Sequence, residues 1–146
     1  MNSKRRNIDI LRKILKYCDQ IDQAKDYFGN SFDALKANIH YQNATAMCIL
    51  QIGELAGHLS EDFRTVHTEI PWRAIKNMRN IAVHNYGDFS MKVLWDTMTD
   101  DIPALRDYCG GIVRQNEVLE QEAIEAPDED MEQDEEQSQG QGMKLE

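Results

Sequence analysis

The stretch Ile8-Asp9-Ile10-Leu11-Arg12-Lys13-Ile14-Leu15-Lys16-Tyr17-Cys18-Asp19-Gln20-Ile21 decides the fold class. Ile8, Leu11, Leu15, Cys18, Ile21 and, one further repeat along, Phe28 recur at helical steps with charged residues between them. That spacing lays one apolar stripe along an α-helix and predicts a helix from about residue 7 to Phe28. Gly29-Asn30 is a helix-stop pair, and Ser31 is placed to cap the next helix. The second helix is expected to run to about Gly57, with Leu35, Ile39, Ala46, Ile49, Leu50 and Ile52 in the core and no proline to interrupt it.

Ser60 to Thr68 reads as a single helical turn. Pro71 suits a first helical position, where its missing N–H would be unpaired anyway. Trp72, Ile75, Met78, Ala82 and Val83 continue a helical stripe. Gly87 marks a break, and Asp88 or Ser90 caps a further helix carrying Val93, Leu94, Trp95 and Met98. Asp101 followed by Pro103 predicts a kink or a fresh start, and Gly110-Gly111 an end or weak point. No segment alternates apolar and polar residues for long enough to be a strand. The expectation is an all-α protein, an up-and-down bundle of four to five helices.

The chain has 146 residues and a formal net charge of −10. Its acidity is uneven. Residues 1–114 hold 15 Lys and Arg against 14 Asp and Glu, a balance of +1, whereas residues 115–146 hold one Lys against 12 acids, a balance of −11. The expected organisation is a helical domain over 1–114 and an acidic tail over 115–146. The tail has too little apolar surface to offset its ordering entropy and reads as disordered. A near-neutral domain carries no basic stripe, so non-specific affinity for nucleic acid should be modest.

Cys18, Cys48 and Cys109 are widely spaced and odd in number. They fit neither a disulfide framework nor a zinc site and read as small core residues in a reducing cytoplasm. The basic N-terminus has no apolar run behind it, so no signal peptide is expected, and no stretch is long enough to span a membrane. His40, His58 and His67 are scattered, no two of them four apart on a helix. No metal site and no cofactor are expected.

The one chemically loaded string is Arg79-Asn80-Ile81-Ala82-Val83-His84-Asn85-Tyr86, or R-N-x3-H-x-Y. Arginine is a permanent cation whose planar fork suits phosphate, and histidine exchanges a proton near neutral pH. Together they suffice for metal-free cleavage of an RNA phosphodiester. The RNA's 2′-hydroxyl attacks, the imidazole moves the proton and the guanidinium stabilises the phosphorane. The bland alternative is a surface arginine and a helix-end histidine that satisfies a last-turn carbonyl.

At about 100° per residue, Arg79 and Tyr86 fall within about 20° of one helix face, while Arg79 and His84 diverge by about 140°. Either the helix ends near His84, or a two-fold dimer brings motif residues from two chains to one cleft. Glu54, between Gly53 and Leu55 on the second helix, is either a solvated carboxylate or a partly buried partner that orients Arg79.

Around this motif the chain resembles the HepT-like toxins of the HEPN superfamily. The resemblance rests on an amphipathic N-terminal helix around Asp9-Ile10-Leu11 and Ile14-Leu15, on Ile52-Gly53-Glu54, on Ile70-Pro71-Trp72 leading to Met78-Arg79-Asn80 and His84-Asn85-Tyr86, and on Val93-Leu94-Trp95 leading to Asp101-Ile102-Pro103-Ala104-Leu105. It covers roughly residues 7–112. It implies an all-α homodimer acting as a metal-independent endoribonuclease on RNA, not DNA. Arg79 and His84 would be catalytic and Asn80 a supporting polar residue. It also implies an antitoxin partner, an MNT-type nucleotidyltransferase that adenylylates Tyr86 and so silences the nuclease. The competing function is a non-catalytic subunit that binds a nucleotide or the nucleotidyltransferase. The acidic tail has three readings: a solubilising appendage, a nucleic-acid mimic lying in the dimer cleft, or a docking strip for a basic partner.

Overall fold

The computed structural model describes residues 2–73, 75, 76 and 91–126. It is an all-α helical bundle, and among the described residues there is no strand. The helices are α1 (Ser3–Phe28), α2 (Phe32–Ala37), α3 (Ile39–Gly57), α4 (Glu61–Val66), α5 (Met91–Asp96) and α6 (Ile102–Glu125). A π-helical segment, Thr97–Asp101, joins α5 to α6 without a break. Residues 72, 73, 75 and 76 are also helical. The chain divides into two units, Met1–Arg114 and Gln115–Glu146.

In the first unit α1 lies along α3. Its buried face is Ile8, Ile10, Leu11, Ile14, Cys18 and Ile21; of the predicted stripe Leu15 and Phe28 are only half-buried against the core, and Ile10 and Ile14 widen the face. Each such aliphatic side chain stabilises the fold by about 1.5–3 kcal/mol relative to exposure. The helix starts earlier than expected because Asn2 caps it, its side chain accepting from the Lys4 N–H at 3.0 Å. It stops where expected. Gly29 takes φ 120° and its N–H donates to the Lys25 carbonyl at 3.0 Å. A β-carbon there would sit 3.1 Å from that of Ala34, so both backbone angle and space select glycine.

The expected single helix from Ser31 to Gly57 is two helices. Ser31 does cap the first, accepting from Ala34 N–H at 3.1 Å. Asn38, however, leaves the helical region with φ −130° and ψ 109° and caps α3. Its side-chain oxygen accepts from the His40 and Tyr41 N–H groups at 2.9 and 3.4 Å. The Gln42 amide turns back to donate to the carbonyls of Leu35 and Lys36 at 2.9 and 3.2 Å, closing the end of α2. Two side chains therefore supply a break without glycine or proline. Ile39, expected in the core, starts α3 and is 54% exposed.

Asn7 on α1 and Ser60, the cap of α4, are tied reciprocally. The Asn7 amide donates to Ser60 Oγ at 3.0 Å, and the Ser60 N–H donates to Asn7 Oδ1 at 3.1 Å. Arg106 on α6 is paired with both Asp19 and Asp22 on α1.

Pro103 acts through the π segment rather than as a simple kink. The Ile102 N–H donates to the Thr97 carbonyl, one residue further back than in an α-helix. The Met98 carbonyl thereby loses its α-helical donor, and Pro103 has no N–H to replace it. Lys25 from α1 fills the place, its Nζ donating to that carbonyl at 2.8 Å. Burial lowers the Lys25 pKa below the ordinary lysine value.

Gly110-Gly111 does not end the last helix, which runs to Glu125. Gly110 is buried, and a β-carbon there would lie 3.3 Å from the Arg114 guanidinium and 4.0 Å from Leu15 of α1. The nearer neighbour is the flexible end of a side chain on the same helix, and the Leu15 distance is ordinary van der Waals contact. In the second unit, residues 115–125, expected to belong to a disordered tail, are instead helical, continuing the helix that begins at Ile102, and expose Val118, Leu119 and Ile124.

Candidate functional site

Arg79, Asn80, His84 and Tyr86 lie outside the described residues, as do Met78, Ala82, Val83, Gly87, Asp88 and Ser90. The frame on either side of them is defined. On the incoming side Ile70 and Ile75 are buried, and Ile75 N–H donates to the Pro71 carbonyl at 3.1 Å. Pro71 is therefore the cap of this turn, one place before the first helical position expected for it. Trp72 packs against the core, its ring 5.9 Å from that of Phe63, and its indole N–H donates to the His67 carbonyl at 2.9 Å. On the outgoing side Leu94 is buried and Met91 and Trp95 pack against the same core.

Beside the incoming segment stands a polar cluster that the sequence did not reveal. The Tyr108 hydroxyl of α6 donates to Glu69 Oε2 at 2.7 Å and lies 2.9 Å from His67 Nδ1. Because its proton is committed to Glu69, the phenol oxygen accepts from His67, which places the imidazole proton on Nδ1. The His67 ring also packs against Phe63 at 4.3 Å and edge-on to Tyr108 at 5.7 Å. The hydrogen bond to Glu69 pushes the Tyr108 pKa up to about 12. The same bond, followed by one from its own backbone, holds the Glu69 carboxyl below the usual carboxylate range.

This cluster borders a cavity of about 240 Å³. Its apolar wall includes Ile49 and Ile52 from α3, Ile70 and Ile75 from the incoming segment, and Ile102 and Leu105 from α6. Glu69, Asp101, Ala104, Tyr108 and Pro71 complete the lining. Burial, then the neighbouring charges of Asp100 and Asp96, raises the Asp101 pKa.

Glu54 is half-buried on α3 beside buried Gly53 and Ile52. His40 and His58 are exposed. Cys18, Cys48 and Cys109 are free and buried, as core packing requires. Burial pushes their thiols up to about 12, about 11 and about 12 respectively. Among the described residues no three metal-ligating side chains converge, and no helix is long and apolar enough to cross a membrane.

Comparison with known proteins identifies the family. A family model described as Ribonuclease HepT-like matches residues 17–112, a span that includes the whole R-N-x3-H-x-Y string. A Thermococcus cleftensis protein named "Probable ribonuclease HepT" is 42% identical over 55 residues, 38% of this chain and 50% of that protein. The chain thus matches half the length of that relative. A Caldanaerobacter subterraneus subsp. tengcongensis protein named "Putative RNase TTE0752" is 30% identical over 65% of this chain and 83% of its own length. A Methanocaldococcus jannaschii protein named "Putative RNase MJ0125" is 30% identical over 71% of this chain and 88% of its own length. No solved structure matches the chain. An all-α bundle, a family match over two thirds of the chain and the motif within it have one conclusion: the chain belongs to the HepT-like ribonuclease family of the HEPN superfamily.

Proposed function

We propose that this chain is a metal-independent endoribonuclease and the toxin subunit of an MNT/HepT-type toxin–antitoxin pair. The observation that carries the reading is the complete Arg79-Asn80-x3-His84-x-Tyr86 string inside the stretch matched by the family model. Arg79 grips the scissile phosphate of an RNA and His84 takes the proton of the attacking 2′-hydroxyl. The 5′-oxygen leaves with a proton, so the products end in a 2′,3′-cyclic phosphate and a 5′-hydroxyl. Asn80 supports the site, and Glu54 orients Arg79 from α3. Two chains form a homodimer, which resolves the angular divergence of Arg79 and His84 by contributing motif residues from both copies. The nuclease is the 1–114 domain, the acidic tail is an appendage to it, and the protein works in the cytoplasm.

Silencing follows from charge. A nucleotidyltransferase antitoxin transfers AMP from ATP to the Tyr86 hydroxyl with loss of pyrophosphate. The new phosphodiester sets a negative charge and bulk near Arg79, which occupies the cation and repels RNA.

The test is cleavage of end-labelled tRNA and mRNA in EDTA by wild type, Arg79→Ala and His84→Ala. Cleavage by wild type alone, leaving cyclic-phosphate ends, is the expected result. If His84→Ala cuts as well as wild type, the catalytic assignment is wrong. The near-neutral charge of residues 1–114 favours a second reading, a non-catalytic subunit that binds a nucleotide or the nucleotidyltransferase. Absence of cleavage by protein whose intact mass shows unmodified Tyr86 selects that reading.

A further inference from the structure

The cavity walled by Ile49, Ile52, Ile75 and Leu105 has a composition unlike that of a phosphate site. Its wall is apolar and its two charged groups, Glu69 and Asp101, are acids. An anion is repelled there, and a purely apolar guest leaves the carboxylates unused. The chemistry that fits is a flat or compact apolar body with N–H donors on one edge. At about 240 Å³ the space lies below the roughly 300–1,000 Å³ of sites for drug-sized ligands and suits a single ring system.

We propose that this cavity is a binding pocket for an unpaired guanine base of the RNA, a reading that rests on the ribonuclease assignment and refines it. A carboxylate only accepts hydrogen bonds. Guanine alone among the four bases presents two adjacent donors, N1–H and the N2 amine, on its Watson–Crick edge. Adenine and cytosine each set an unprotonated ring nitrogen beside their amine, and uracil flanks its one N–H with two carbonyls. All three therefore turn a lone pair toward an acid. Glu69 is held at the rim by Tyr108, whose hydroxyl donates to one of its oxygens at 2.7 Å. A carboxylate has about four acceptor positions, so Glu69 retains capacity for the base. Pro71 and the Tyr108 ring lie in the same lining, and aromatic rings are the usual platform for an unpaired RNA base.

The cavity is also within reach of the chemistry. Ile75, in its wall, precedes Arg79 by four residues in the sequence. The base belongs to a nucleotide close to the bond that is cut. Arg73 and Lys76, exposed on the same helical turn as Ile75, supply the positive charge its flanking phosphates need.

The test is binding of short 2′-O-methyl oligonucleotides, which resist 2′-hydroxyl attack, to the full-length chain. The oligomers are a pentauridylate and the same sequence with a central guanosine, inosine, adenosine or cytidine. The guanosine oligomer is expected to bind at least ten-fold tighter than the pentauridylate, with inosine, which lacks the N2 amine, between them. Glu69→Gln should abolish that preference. Ala104→Phe, which enlarges a lining side chain without altering either acid, should weaken the guanosine oligomer selectively. Equal affinity for all five oligomers overturns the pocket, and that result is expected if the cavity receives a donor-bearing side chain of a protein partner. Guanosine preference without cleavage of ordinary RNA would keep the pocket and sink the nuclease reading. Cleavage without base preference would do the reverse.

Discussion

Lys25→Met removes an ammonium that holds together the junction between α5 and α6. Methionine keeps the length and apolar character of the stem, so the change isolates the polar contact. In the native protein Nζ donates to the Met98 carbonyl at 2.8 Å, and Met98 is fully buried. That carbonyl cannot turn to its own helix, because the Ile102 N–H is committed to Thr97 and residue 103 is proline. Loss of the lysine thus leaves a buried acceptor without a donor, which costs about 1–3 kcal/mol. The second contact of Lys25, to Asp22 at 4.0 Å, involves a carboxylate that is 39% exposed and adds little. A net loss of about 2 kcal/mol corresponds to a fall in Tm of about 8 °C for a domain of this size.

Thermal unfolding followed by circular dichroism measures it, with Pro103→Ala as the second arm. Alanine restores an N–H next to the stranded carbonyl and permits an ordinary α-helical ladder. Lys25→Met should therefore cost less in a Pro103→Ala background, by at least about 0.5 kcal/mol of coupling. A Tm for Lys25→Met within about 2 °C of wild type, or strict additivity in the double mutant, would refute the role given to the π segment.

Three further outcomes are expected. Asn38→Ala should lower stability by about 1 kcal/mol in urea unfolding, because α3 loses its N-cap. Tyr41 is fully buried and stacked on Phe28 at 5.1 Å, yet its hydroxyl has no hydrogen-bond partner among the described residues. Tyr41→Phe should leave stability equal to or up to about 1 kcal/mol above wild type, read from the same melts. Ultraviolet titration should show one tyrosine ionising near 12, absent in Tyr108→Phe and moved toward 10 in Glu69→Gln. The folded-state pKa is raised, so this contact stabilises below about pH 10, where the unfolded tyrosine ionises, and is lost as pH climbs through about 12.

Features set by local chemistry were legible in the sequence. The α1 stripe, the Gly29 stop, the Ser31 cap and the short α4 helix depend on residues a few places apart, and periodicity and capping rules reach that far. The break at Asn38 is also local, but asparagine inside an otherwise helical run has no unique meaning until Gln42 is seen closing the preceding helix. Gly110-Gly111 suggests a helix end by propensity alone, yet the helix continues through both, because a weak local propensity is overridden within a 24-residue helix. The candidate site divides in the same way. Arg79, His84 and Tyr86 form a contiguous string and could be picked out directly. His67, Glu69 and Tyr108 could not, since the histidine and tyrosine are 41 positions apart and meet only through packing.

The three buried thiols have a practical consequence. Each of the long helices carries one of them: Cys18 in α1, Cys48 in α3 and Cys109 in α6. With pKa values of about 11 to 12 they are almost wholly protonated at neutral pH and shielded from reagents. A disulfide reagent in the buffer therefore reacts only when a helix lifts from the core. Single-cysteine versions of the chain turn that reaction into three separate clocks. Their relative speeds reveal whether α1, α3 and α6 come away together in one cooperative opening or whether one of them detaches first.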